Sequence, residues 1–187
     1  YKAFPETMRA RTRNMLNLSL KRSMKRADLI ITISEFSKSE IIKYFPEHAS
    51  KIRVVPCGVD LSFFKPCEDQ SKIDAVRKKF NIEGDYFLYL GTLEPRKNLE
   101  RLIDGYKVFL SKCEDKASAP KLVLAGGRGW LFDSIFEKVK TENLEKQVLF
   151  TEYLASEDRT PLMCGSLAFT FPSIYEGFGM PPLEAMA

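Results

Sequence analysis

Tyr86-Phe-Leu-Tyr-Leu-Gly-Thr-Leu-Glu-Pro-Arg-Lys-Asn98 and Lys121-Leu-Val-Leu-Ala-Gly-Gly-Arg-Gly-Trp130 are the stretches on which the fold turns. Each opens on a short apolar run and breaks at glycine. Between them lies a segment with the length and pattern of a helix. The reading is strand Tyr86–Leu90, helix over about 98–111, strand Lys121–Ala125, and alternation of this kind is the rhythm of a parallel sheet.

Outward from this unit the rhythm continues. Toward the C-terminus we expect a helix over about 130–140, a strand Gln147–Phe150, a short helix near 157–164 and a strand Leu167–Phe171. A last helix should open at Pro181-Pro182, because proline in a first turn removes only a donor that would be unpaired anyway. Toward the N-terminus a helix over about 71–80 follows an irregular connection, 56–68, that carries Pro56, Gly58 and Pro66. Before it, Ile52–Val55 reads as a strand. Ser37-Lys-Ser-Glu40 reads as a capping box opening a helix that ends before Pro46. Leu29–Ile33 reads as a strand covered on both faces. Pro5–Arg26 reads as a helix, with Met8, Met15, Leu16, Leu20 and Met24 near helical spacing. The fold class is α/β, with doubly wound, Rossmann-like parallel sheets.

The chain has 187 residues, of which 44% are hydrophobic and 29% charged, a balance that excludes disorder, collagen and coiled coil. No apolar run approaches the roughly 18–20 residues that a membrane-spanning helix needs. The sequence starts at Tyr1 and stops at Ala187 inside an expected helix, so we expect part of a longer protein. The net charge of +4 is unevenly spread: residues 1–60 hold 12 Lys/Arg against 6 Asp/Glu, and residues 61–187 hold 17 against 19. Residues 2–26 concentrate the basic excess. That helix suits an anionic lipid surface or a phosphorylated ligand, and equally a plain solvated face. Nucleic acid is not expected, because only Tyr1 and Phe4 interleave the basic stretch. The four cysteines form no Cys-x-x-Cys pair and His48 is the lone histidine, so neither a zinc site nor a histidine-based triad is expected. Free thiols fit a reducing compartment.

In doubly wound folds the ligand sits beyond the carboxyl ends of the strands, so the loops there come first. In Gly91–Asn98, Gly91 permits a sharp turn and Asn98 can cap the next helix. Arg96 and Lys97 beside a helix N-terminus make a diphosphate seat, or else an exposed basic turn. Gly126 and Gly127 would let a ligand approach the backbone, although a bare Gly-Gly after a strand is a weak signal. Neither a dinucleotide fingerprint nor a Walker lysine is present. In Phe171–Ala187, Glu176 lies in a glycine-rich loop and Glu184 on the first turn or so of the following helix. A carboxylate accepts two hydrogen bonds side by side, which suits the vicinal hydroxyls of a ribose or hexose, and Gly177 and Gly179 would open the amides of Phe178, Gly179 and Met180 to a ligand. A capped turn with one favourable acid is the plainer alternative.

These residues carry a resemblance. Glu176-Gly-Phe-Gly-Met-Pro-Pro-Leu-Glu184 and Gly91-Thr-Leu-Glu-Pro-Arg-Lys-Asn98 resemble the E-x7-E motif and phosphate loop of the family-4 retaining glycosyltransferases, which have the two-domain GT-B fold. Ala27–Ser34, Gly58-Val-Asp60 and Leu122–Gly127 add weaker support in the family's order. Cys57 departs from it, standing where many relatives have Asn. The resemblance implies an incomplete GT-B chain. Residues 1–60 would be the end of the acceptor-side domain and hinge, and residues 61–187 a truncated nucleotide-sugar-binding domain.

It also implies roles: Glu176 as the catalytic-position acid, Arg96 and Lys97 on the donor diphosphate, Glu184 on the ribose, and Phe178–Met180 on sugar and phosphate. The loop Glu152–Leu154, with Tyr153 and Leu154, would flank the base. The Glu-Pro-Arg-Lys-Asn form is similar to bacterial mannosyltransferases, which implies GDP-mannose as donor ahead of a UDP-hexose. The expected reaction moves a hexose to a glycan or lipid-linked acceptor in polysaccharide biosynthesis, with retention at C1.

No cofactor is expected, and the lack of any Asp-x-Asp pair suggests metal-independent transfer. The expected location is cytoplasmic, with peripheral contact at the inner face of a membrane through residues 2–26. The sequence leaves two alternatives: a non-catalytic nucleotide-sugar-binding module, and a phosphorylase-like GT-B enzyme using pyridoxal phosphate. The chain alone is expected to be inactive. Loss of Arg96 or Lys97 is expected to hurt turnover more than folding, because a charged loop contributes little to a core.

Overall fold

A computed structural model describes residues 2–7 and 9–187, so the readings that involve Tyr1 and Met8 lie outside the described residues. The chain divides into two compact units. One runs up to Gly58 and includes Tyr175–Met180; the other comprises Val59–Ile174 and Pro181–Ala187.

In the first unit the N-terminal helix is shorter than expected. A single turn, Pro5–Thr7, precedes α1, Ala10–Arg26. Then come β1 (Ile30–Thr32), α2 (Glu35–Tyr44), a 3-10 turn Pro46–Lys51, and β2 (Ile52–Val54). β1 and β2 pair in parallel, with Ile30 opposite Ile52 and Thr32 opposite Val54. Two readings are corrected here. Leu29, Ile31 and Ile33 are exposed and only Thr32 of β1 is buried, so this strand is not covered on both faces. Helix α2 starts two residues before the expected box. Its cap is Ser34, whose side chain accepts from the Ser37 amide at 2.9 Å, while Glu40 accepts from Tyr175 Oη at 2.8 Å. The box motif failed because an equally good cap residue stood three positions earlier.

The second unit holds the larger sheet. Its elements are α3 (Gln70–Lys79), β3 (Tyr86–Leu90), α4 (Leu99–Ser111), β4 (Lys121–Ala125), α5 (Asp133–Thr141), β5 (Val148–Glu152), α6 (Ser156–Cys164) and β6 (Ala168–Phe169). Helix α7, Met180–Met186, follows. β3 and β4 fall on the expected residues, whereas β6 keeps only two of its expected five. The four strands are parallel, in the order β5-β4-β3-β6.

Side chains of successive strand residues point to opposite faces, and both faces of this sheet are packed. Tyr89, Leu122, Leu124 and Val148 meet Leu99, Ile103, Tyr106 and Leu110 of α4 and Ile135 and Val139 of α5. Tyr86, Leu88, Leu90, Val123 and Ala125 meet Val76 of α3 and Leu162 of α6. Each such aliphatic side chain contributes roughly 1.5–3 kcal/mol when fully buried. Helix α3 is started by Asp69, whose carboxylate accepts from the Ser71 amide at 3.1 Å. The result is a rigid three-layer platform that fixes where the loops after the strands emerge.

Candidate functional site

The strand order places a topological switch beside β3. The chain runs β3, β4, β5 to one side and then crosses to lay β6 on the other. Loops leaving the carboxyl ends of β3 and β6 therefore diverge around a crevice, the usual ligand position in such sheets. Here the two loops are tied. Asn98 Nδ2 donates to Pro172 O at 3.0 Å, and the Ile174 amide donates to Arg96 O at 3.0 Å. Asn98 thus does not cap α4 with its side chain as the sequence suggested. It stands at the N-cap with φ 58°, and its amide is turned to the neighbouring loop instead. Asparagine tolerates this left-handed backbone better than most residues.

The loops after β3 and β4 are zipped together as well. Gly91 N donates to Ala125 O at 2.9 Å, Leu93 N to Gly127 O at 3.0 Å, and Gly129 N to Leu93 O at 3.0 Å. Gly126 has φ 139°, and a Cβ placed there would run into the Gly91 carbonyl. The glycine at 126 is explained by this close crossing of two backbones. Nothing lies within 4 Å of a Cβ built on Gly127.

Within the β3 loop, Glu94 is 2% exposed, and its Oε1 lies 2.6 Å from Arg96 Nη2. This partner went unnoticed in the sequence, and it corrects the expectation about Arg96. A buried carboxylate that loses its cation is costly, so Arg96 belongs to the fold as well as to the loop mouth. A guanidinium carries five donors in a fork, so one carboxylate does not exhaust it. Lys97 Nζ lies 5.6 Å from the centre of the Phe171 ring, a cation–π contact across to the loop after β6. In that same loop the Ser173 hydroxyl is buried and has no hydrogen-bond partner among the described residues, another polar group that sequence reasoning passed over.

Glu184 is the fifth residue of α7, just past its first turn because the helix opens at Met180, one residue before Pro181, and its Oε2 accepts from Arg159 Nη2 of α6 at 2.6 Å. Its side chain is nearly buried, at 10% exposure. On the loop after β5, Tyr153 is exposed at 80%, whereas Leu154 packs against the core beneath the sheet. Glu152 has φ 56° and pairs with Arg128, whose guanidinium also lies 5.3 Å from the Phe136 ring.

In the first unit, the Gly177 carbonyl accepts from the hydroxyl of Ser34 and, at 3.0 Å, from that of Ser37, so it is held at the N-terminus of α2. Glu176 is half-buried beside it, Phe178 is exposed, Gly179 has φ 101°, and Met180 begins α7. Tyr175 anchors the segment by edge contacts with Phe4, at 5.4 Å, and Phe36, at 5.2 Å. Desolvation, and then the hydrogen bond to Glu40, push its phenol up to about 12.

Comparison with known proteins agrees with this geometry. The family Glycosyl transferases group 1 matches residues 72–187, and Glycosyltransferase Family 4 matches residues 2–63. The O-antigen chain mannosyltransferase B of Escherichia coli is 37% identical over 172 residues, covering 90% of this chain and 43% of its own length. The serotype-specific mannosyltransferase WbdA of the same organism is 29% identical over 163 residues, 87% of this chain and 20% of its own. Anabaena HepE, solved in complex with UDP and glucose, superposes with a TM-score of 0.73 at 22% identity. It covers 97% of this chain and 47% of its own. The chain spans less than half the length of these relatives. The GT-B fold expected from the sequence is shown.

Proposed function

The chain belongs to the group 1 glycosyl transferases, and from that premise we propose that its protein transfers a hexose, mannose first, from a nucleoside diphosphate sugar to a glycan or lipid-linked acceptor. The observation that carries this reading is the pair of loops tied across the β3/β6 switch, one with Arg96 and Lys97 and the other leading into Glu176. The mannosyltransferase relatives support mannose, with GDP-mannose the first donor to test. HepE, bound to UDP and glucose, keeps a UDP-hexose as the second.

The chemistry breaks the sugar C1–O bond, and negative charge grows on the departing diphosphate. Cations already in place there stabilise the transition state without reorganising. Lys97, poised over Phe171, and Arg96, held by Glu94, are assigned that work, with transfer metal-independent and with retention at C1. Glu176 is assigned to the donor sugar and Glu184 to the ribose, with the backbone of Phe178, Gly179 and Met180 on sugar and phosphate. Tyr153 is assigned to the base. Leu154 supports that loop from below, since its side chain is turned to the core. Gly91, Gly126 and Gly127 shape the loop mouth.

The proposed location is cytoplasmic, with α1 resting on the inner face of a membrane. Met15 and Leu18 are exposed on this basic helix, and no helix among the described residues is long and apolar enough to cross a membrane. A thermal-shift screen of GDP-, UDP- and ADP-sugars against the intact protein tests the donor, because a ligand that binds the native state raises its melting point. Glu176→Ala should lower kcat by more than about 10²-fold, as expected for one lost transition-state contact. A near-normal kcat would demote Glu176 to a binding residue. Loss of activity in EDTA with recovery in Mg²⁺ would overturn the metal-free assignment.

A further inference from the structure

The ion pair between α6 and α7 reaches further than a surface staple. Arg159 lies in the first turn of α6, directly after the loop assigned to the base, and Glu184 is the acid assigned to the ribose. The pair closes at 2.6 Å between Arg159 Nη2 and Glu184 Oε2. The guanidinium is fixed from a second side by Phe64, whose ring centre lies 5.2 Å away and which is itself buried. A planar guanidinium held over a ring and bonded to a carboxylate has little rotational freedom left. The carboxylate is thereby oriented. One oxygen is committed to Arg159, and Oε1 has no hydrogen-bond partner among the described residues.

We propose that Arg159 is a positioning residue that aims Glu184 at the ribose hydroxyls, and so sets the preference for a ribonucleotide donor. The inference rests on the proposed role of Glu184. Arg159 itself need not touch the sugar. Without it, the Glu184 side chain regains rotamers, and holding it for a diol then costs conformational entropy at each binding event.

The test compares GDP with 2′,3′-dideoxy-GDP by calorimetry, on the intact wild-type protein and on R159M, which keeps an apolar stem over Phe64. The wild type should prefer GDP, and R159M should lose about tenfold of that preference, in line with one weakened hydrogen bond to a charged group. Its affinity for the dideoxynucleotide should stay unchanged. In turnover, KM for the donor should rise at nearly constant kcat, and R159K should recover part of the discrimination. A melting temperature for each variant separates this from unfolding. If R159M does not fold, R159K carries the test alone and should show an intermediate preference.

An R159M protein that folds and discriminates like the wild type would overturn the proposal. So would an R159K protein with full wild-type discrimination, where that variant stands alone. A wild type that binds GDP and its dideoxy analogue equally would instead overturn the role of Glu184 beneath it. No binding of any nucleoside diphosphate would overturn the donor reading itself.

Discussion

Replacing Arg96 by methionine separates its structural from its catalytic share. Glu94 has a side chain 3% exposed and Arg96 one 30% exposed, and they meet at 2.6 Å. Methionine keeps most of the stem and deletes the charge, leaving a carboxylate in a dry site. Breaking a fully buried pair costs about 3–5 kcal/mol. The partial exposure of Arg96 lets water reach its side of the contact, so we take the lower end, about 3 kcal/mol. For a chain of 187 residues, about 2–4 °C accompany each kcal/mol, so the melting point should fall by about 6–12 °C. Urea unfolding followed through Trp130, the only tryptophan, reads the unit concerned. The double variant E94L/R96M should be much less destabilised than the single R96M, because it removes the stranded carboxylate too. Destabilisation of R96M by less than about 1 kcal/mol, or strict additivity with E94L, would refute the reasoning.

Three further outcomes follow from the same geometry. Lys97→Ala should lower turnover with a smaller loss of stability than R96M, since a half-buried cation–π contact contributes about 1–2 kcal/mol, and a melting-point drop as large as that of R96M would place Lys97 in the fold instead. Gly126→Ala should destabilise the protein and disturb donor binding together, because the added methyl meets the Gly91 carbonyl at a positive φ; an unchanged urea midpoint would contradict the tight crossing. Burial raises the phenols of Tyr86 and Tyr106 to about 12, so each contributes stability that is fully present below the unfolded value near 10 and is lost as pH rises toward 12. Alkaline unfolding should therefore set in over that window, and Tyr86→Phe should flatten the profile; an identical profile would argue against burial as the cause.

The parts of the fold legible in the sequence are those that local chemistry dictates. β3 and β4 fall on their expected residues because each is an apolar run closed by glycine. Capping was less legible: Ser34 and Ser37 are chemically alike, and only the backbone geometry selects one. β1 looked buried because its side chains are apolar, yet burial depends on what packs against a strand, which composition does not state. At the candidate site the residue types could be read in advance, but not their partners. Glu94 with Arg96 is a short-range pair whose importance comes from burial, and Arg159 with Glu184 joins positions 25 apart.

Residue order alone determined an α/β chain of parallel strands, with cations after one strand and paired acids after another, because apolar runs, glycines and prolines act on the backbone within a few residues of where they stand. Tertiary structure decided that β6 lies against β3, that the loops leaving them are tied through Asn98 and Arg96, that Gly126 serves a backbone crossing, and that Arg159 grips Glu184. Each of those depends on the order in which strands are laid into the sheet, a choice made by burying both faces at once, and no local stretch of sequence contains it.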